Sequence, residues 1–276
     1  MGFQLKPDAD MTAAKIRVGK ISALVVRPKE AVSNPPGVLW IHGGGYITGM
    51  KEMVYMGRAM DLVRKYGAVV VSPGYRLAWK KPYPAALNDC YDTLLYMKEH
   101  AAELGFRQDQ IMVGGESAGG GLAAAVCIRA RDEGKVHVAF QMPLYPMISN
   151  LDTDSSRDNH GKVWNTRRNH FGWKLYLRGD AAKAVSPYAA PAQETDYANL
   201  PPCYTFVGDG EPFYCETLEY VSRLKKAGVT ASVDVYHTNV HAFDMMRPDE
   251  ESSRKAIAAF NAQFEYAMKN CFAENS

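Results

Sequence analysis

The sequence predicts an α/β protein: a single domain of 276 residues on a mostly parallel central sheet with helices on both faces. Three observations carry this. Short apolar runs alternate with stretches of helical spacing along nearly the whole chain, which is how a parallel sheet and its covering helices are written in sequence. One such run meets a helix of small residues through the turn Gly115-Glu116-Ser117-Ala118-Gly119. Hydrophobic residues make up 47% of the chain, enough for a large buried core. One set of motifs spans nearly all of this length, so one domain is expected rather than two.

Residues 21–26 read as an early strand. Gly37-Val38-Leu39-Trp40-Ile41 is a short apolar run, the mark of a strand buried on both faces, and residues 68–72 form another. Between residues 85 and 103 the apolar positions Leu87, Tyr91, Leu94, Leu95 and Met97 fall largely on one helical face. Gln110-Ile111-Met112-Val113 is the strand that enters the serine turn. A helix then runs to about residue 132, with Ala123, Ala124 and Ala125 small enough for close packing on the sheet. Residues 138–142, 203–207 and 231–236 complete the strands, and a last helix closes the chain. The segment 150–184 breaks the alternation. It is polar, charged and aromatic, and a loop of that length without a regular role is usually functional.

The serine turn has the Gly-x-Ser-x-Gly form of a nucleophile elbow, in which a tight strand-to-helix turn lifts the hydroxyl above the sheet edge. Upstream, Ile41 is followed by His42-Gly43-Gly44-Gly45-Tyr46. Its glycines let backbone N–H groups converge on one point, as a developing oxyanion requires. Among seven histidines, His241 lies on a loop after the alternating run 231–236 and before the last helix. That gives the chain order serine, acid, histidine. His237 is the rival, but it closes the strand rather than following it. His42 belongs to the glycine loop and reads as structural, while His100, His137, His160 and His170 have no motif around them. The acid has two candidates, Asp209 and Glu211, in the turn Gly208-Asp209-Gly210-Glu211-Pro212-Phe213. Either carboxylate can orient an imidazole.

Together these pieces resemble the hormone-sensitive-lipase-like family of α/β-hydrolases, which includes bacterial carboxylesterases and acetylesterases. The resemblance runs from about residue 25 to the C-terminus. It includes Tyr75-Arg76-Leu77-Ala78, Tyr83-Pro84-Ala85-Ala86-Leu87-Asn88-Asp89, Pro143-Leu144-Tyr145-Pro146, the stretch 186–191 and Leu200-Pro201-Pro202. In the family the acid directly precedes a proline, as Glu211 does here, with glutamate in place of the usual aspartate. Glu116 stands where the family usually has Asp, and Gly74 where an aspartate often stands.

The resemblance implies an α/β-hydrolase fold with Ser117 as nucleophile, His241 as base and Glu211 as acid, Asp209 being the alternative. It implies an oxyanion hole built from Gly43, Gly44, Gly45 and Ala118, with Gly44 and Gly45 the preferred loop donors. Residues 150–184 then form a lid, with Tyr46, Trp164, Trp173 and Tyr176 as substrate contacts; the other reading of Trp173 and Tyr176 is as anchors of the lid to the body. Only about forty residues precede His42, fewer than in many relatives, which implies a reduced cap and an open site. The activity expected is hydrolysis of short-chain acyl esters, acetyl esters above all, through an acyl-enzyme. The partner is a small-molecule ester, with no cofactor and no metal. The same residues would suit an arylformamide or peptide bond, and a non-catalytic binder on this fold is the third reading. Relatives often pair along the strand equivalent to residues 232–236, so a homodimer is compatible.

Charge and cysteine usage narrow the setting. A net charge of +2 gives no reason to expect nucleic acid. No run of 18 or more apolar residues suggests a membrane span. Residues 1–10 lack the apolar core of a signal peptide. Five unclustered cysteines, with no Cys-x-x-Cys pair and no zinc spacing, read as buried thiols in a reducing cytoplasm.

Overall fold

The apolar runs pair into one eight-stranded sheet, which a computed structural model describes over residues 6–179 and 183–273. The strands are β1 (Met11–Val18), β2 (Ile21–Pro28), β3 (Pro36–Ile41), β4 (Val69–Pro73), β5 (Arg107–Glu116), β6 (Phe140–Leu144), β7 (Cys203–Gly208) and β8 (Ala231–Tyr236). They lie in the order β1-β2-β4-β3-β5-β6-β7-β8. β1 and β2 form an antiparallel hairpin, β2 pairs antiparallel with β4, and the remaining pairs are parallel.

Every residue of β3, β4, β6 and β7 is buried, because helices cover both faces. Alternate residues therefore serve different cores. Leu39, Ile41, Val71 and Val113 face the layer of α2 (Ala85–Glu99) and α4 (Ala118–Glu133). Val38, Trp40, Val70, Met112 and Phe206 face α1 (Ala59–Tyr66) and α8 (Glu251–Asn270). α8 presents Ala256, Phe260, Phe264 and Ala267 on one stripe, all fully buried. Each large apolar side chain so buried stabilises the fold by about 1.5–3 kcal/mol. α6 (Tyr214–Lys226) packs Tyr220, Val221 and Leu224 against Ala124 and Ile128 of α4.

The chain leaves β3 for β4 on one side, then crosses back to place β5 on the other. The strand order thus reverses between β3 and β5, and a crevice opens beyond their carboxyl ends. β3 ends at the His42–Gly45 glycines and β5 ends at Ser117. Topology alone brings the two motifs to one place.

Several elements differ from the sequence reading. β1 was not expected; six of its eight residues are exposed or half-buried, so it carries no apolar run. The helix expected over 85–103 breaks at His100, giving α2 and a short α3 (Ala101–Leu104) that ends at Gly105 with φ +85°. β6 sits two residues later than expected. The segment 150–184 is not irregular throughout: it holds α5 (Thr166–Leu177), capped by the Asn165 side chain, which accepts from Arg168 N at 3.1 Å. Residues 180–182 of that segment, and residues 1–5 of the stretch read for a leader, lie outside the described residues. All five cysteines are free. Among the described residues no helix is long and apolar enough to cross a membrane.

Candidate active site

Ser117 sits between β5 and α4 with φ +57° and ψ −119°, a conformation an L-residue holds only when its surroundings dictate it. Its N–H donates to Leu144 O at 3.0 Å, and its carbonyl accepts from Gly121 N at 2.9 Å and Met147 N at 3.0 Å. The glycines of the motif have a definite use. A Cβ on Gly115 or on Gly119 would overlap the carbonyl oxygen of Ile41, the last residue of β3. The elbow is therefore pressed directly onto the backbone of the neighbouring strand.

The glycine loop follows from that contact. A Cβ on Gly43 would lie 2.9 Å from Glu116 O and 3.3 Å from Ser117 Cβ, so the loop runs alongside the serine. Gly44 and Gly45 have φ of +115° and +60°, which glycine adopts without strain. Gly44 O accepts from Ile47 N and Thr48 N, closing the turn. Among the described residues the N–H groups of Gly44, Gly45 and Ala118 make no hydrogen bond to a protein acceptor. Ala118 is the first residue of α4, where helical N–H groups lack intrahelical partners. His42 supports the loop: its Nδ1–H donates to Gly43 O at 2.8 Å and its ring stacks on Tyr75 at 4.2 Å. Burial lowers its pKa to about 4, so the imidazole is neutral at working pH.

His241 lies between β8 and the four-residue α7 (Phe243–Met246). Its Nε2 is 2.8 Å from Ser117 Oγ, and its Nδ1 bonds Glu211 Oε2. Glu211 is fully buried, and its other oxygen accepts from Gly208 N at 2.8 Å. With Nδ1–H donated to a carboxylate, Nε2 is left to accept the serine proton. These bonds set the tautomer. The rings of Phe213 and Tyr145 meet the imidazole edge-to-face at 5.0 and 5.2 Å. Asp209 faces the other way. It bonds the exposed His237 Nδ1 at 2.8 Å and accepts from Thr238 N at 3.1 Å, and it raises the pKa of that histidine. The two candidate acids and the two rival histidines thus sort into a buried pair beside Ser117 and an exposed pair away from it.

The expected substrate contacts divide as well. Tyr46, Trp173 and Tyr176 are each 1% exposed. Tyr46 stacks on Tyr176 at 4.0 Å, sits 5.3 Å from Trp173, and donates to Met147 O at 2.6 Å. These three rings spend their surfaces on one another and join α5 to the glycine loop, leaving almost none exposed. Trp164 is different: it stays half-buried, and its ring covers the spot where a Cβ on Gly45 would stand.

Sequence reasoning missed Tyr145, Asp244 and Arg58, which lie beneath His241. Tyr145 Oη donates to Asp244 Oδ1 at 2.9 Å, and Arg58 Nε is 3.1 Å from Asp244 Oδ2. Asp244 stands three residues after His241, which is a usable signal only once α7 is known to be helical.

The family described as having the α/β-hydrolase fold matches residues 38–245. The esterase LipI of Mycobacterium tuberculosis is 31% identical over 210 residues, which cover 75% of this chain and 65% of that protein. The carboxylesterase NlhH of the same organism is 30% identical over 228 residues, covering 81% of this chain and 71% of the relative. Among solved structures, a bacterial heroin esterase superposes with a TM-score of 0.85 at 32% identity, over 93% of this chain and 83% of the other.

Proposed function

Since the chain belongs to the α/β-hydrolase family, in its hormone-sensitive-lipase-like branch, we propose that it is a serine carboxylic-ester hydrolase acting on short-chain acyl esters. The observation that carries the reading is the continuous line Ser117 Oγ, His241 Nε2, His241 Nδ1, Glu211 Oε2. Ser117 attacks the ester carbonyl as His241 accepts its proton, and Glu211 stabilises the imidazolium that results. The N–H groups of Gly44, Gly45 and Ala118 hold the oxyanion; each such donor contributes about 3 kcal/mol to lowering the barrier. His241 then protonates the leaving alcohol, and water releases the acyl group by the reverse sequence.

The short-acyl preference rests on the cap. Residues 11–28 pair at the sheet edge as β1 and β2 instead of extending over the elbow. The cap over the glycine loop comes from Trp164 and α5. A long acyl chain needs a deep apolar channel. A cleft of about 600 Å³ reaches Gly210 and Val240, the chain neighbours of Glu211 and His241, and carries Asn159, His160 and Lys162 beside Met246. That suits a polar alcohol half. The five free thiols support a reducing, cytoplasmic setting.

The test is hydrolysis of p-nitrophenyl acetate, butyrate and octanoate by the wild type and by Ser117→Ala. Turnover that falls with chain length and disappears in the variant is expected. A maximum at octanoate would reject the short-acyl assignment. Turnover that survives in Ser117→Ala would reject the serine mechanism.

A further inference from the structure

The imidazole of His241 is held from a side that the proton relay does not use. Tyr145 follows β6, is fully buried, and is tied to β7 by Tyr145 N donating to Phe206 O at 3.1 Å. Its ring stands nearly perpendicular to that of His241, at 79° with centroids 5.2 Å apart. Its hydroxyl donates to Asp244, which stands on α7 three residues after His241. The result is a closed circuit: imidazole, backbone to Asp244, tyrosine hydroxyl, tyrosine ring, imidazole.

Arg58 ties that circuit to the nucleophile. Its guanidinium lies 3.1 Å from Asp244 and 2.7 Å from Asp61, and its chain neighbour Gly57 is pressed against the Glu116 carboxyl, where a Cβ would overlap Oε1. Glu116 directly precedes Ser117 and accepts from Trp40 Nε1 at 2.9 Å. Burial raises the pKa of Asp244, which has no exposed surface, and Arg58 and the Tyr145 hydroxyl are among the groups that favour its charged form. Pairing it here fixes a segment that cannot fix itself. α7 has four residues, too few for independent helical stability, and Ala242 beside His241 has φ +56°.

We propose that Asp244 and Tyr145, locked by Arg58, are positioning residues that set the plane of the His241 ring, so that its two nitrogens point at Ser117 and Glu211 together. This rests on the ester-hydrolase reading above. Without the circuit, the ring turns about its own bond to Cβ and loses alignment at both nitrogens.

The experiment compares the wild type, Tyr145→Phe, Asp244→Leu and the double variant. Two quantities are read: kcat and KM on p-nitrophenyl acetate, and the rate at which a fluorophosphonate labels Ser117. Tyr145→Phe removes one oxygen and keeps the ring. It is expected to lower kcat and the labelling rate about 10-fold, the scale of a sub-ångström misplacement, with KM within about twofold. Asp244→Leu loses more, and the double variant is no worse than Asp244→Leu, because the hydroxyl then has only its weak contact with Met245 Sδ at 3.7 Å to lose. If Asp244→Leu does not fold, Tyr145→Phe still decides. A melting temperature that falls while kcat and labelling stay unchanged at 25 °C would mean a structural role only and overturn the proposal. Losses that multiply in the double variant would overturn it too. A wild type that labels yet hydrolyses no ester would sink the ester reading, and the labelling rates alone would then decide the positioning role.

Discussion

Replacing Glu211 by Gln changes one oxygen to nitrogen in a buried site, and the consequence can be worked through atom by atom. Gly208 N–H donates to one Glu211 oxygen and must keep an acceptor, because the site is fully buried. The glutamine carbonyl therefore stays on Gly208, and its NH₂ faces His241 Nδ1. Nδ1 must now accept, so the ring proton moves to Nε2, which lies 2.8 Å from Ser117 Oγ. Nε2–H then donates to Ser117 Oγ, and the serine has no base. A wrong tautomer of this kind costs about 10⁴ in kcat in the trypsin system, so a loss of about 10³–10⁴ is expected here, roughly 4–5.5 kcal/mol. Asp209→Asn is the matched control. Asp209 is partly exposed and bonds a histidine whose side chain is 98% exposed, so its loss should change kcat/KM less than about twofold. The assay is kcat/KM on p-nitrophenyl acetate for both variants at neutral pH. A larger loss from Asp209→Asn than from Glu211→Gln would refute the reasoning and move the acid to the other side of the turn.

Other outcomes follow from the same geometry. Gly119→Ala should abolish soluble expression or remove activity, because its Cβ overlaps Ile41 O and the elbow must lift off β3; unchanged melting and turnover would contradict the contact. Phe264→Ala on α8 empties a fully buried site and should cost about 3–5 kcal/mol, read as a lowered midpoint in urea unfolding. Burial raises the Glu116 carboxyl to about 8, above its value of 4.5 in an unfolded chain. The folded state therefore binds this proton more tightly. The associated stability is complete below about pH 4.5 and is lost as pH rises through about 8, by an amount on the order of a few kcal/mol. Glu116→Gln should thus gain on the wild type in melting temperature as pH rises from 5 to 8, and a constant difference over that range would count against the burial cause.

How much of this was legible in the sequence depended on where each residue's burial is recorded. β3, β4 and β7 are buried on both faces, so they appear as plain apolar runs. β1 is buried chiefly at its two ends and looks like loop. α5 hides its fold for a different reason. Only Asn169, Gly172, Trp173 and Tyr176 are buried in a segment otherwise rich in charge, so its periodicity is thin. Its aromatics Trp173 and Tyr176 left two readings open, substrate contact or anchor to the body, because a large ring in a polar segment signals an interface without naming its partner; here both rings pack on Tyr46. Ser117, His241 and the glycine loop announced themselves through local turn chemistry. Glu211 and Asp209 could not be separated by sequence distance, since the turn sends neighbouring carboxylates to opposite sides. The Arg58 and Asp244 pairing joins positions 186 apart with no local pattern at either end.

The overlap that forbids side chains at Gly115 and Gly119 also sets what the chain is free to change. The spacing between the serine and the glycine loop is gauged from main chain to main chain, through Ile41 O, Glu116 O and the two glycines. A repacking of the core that leaves these backbone contacts in place therefore keeps the separation of Ser117 and the glycine loop. A catalytic dimension fixed in backbone leaves the rest of the molecule to drift toward new substrates while the chemistry stays in register.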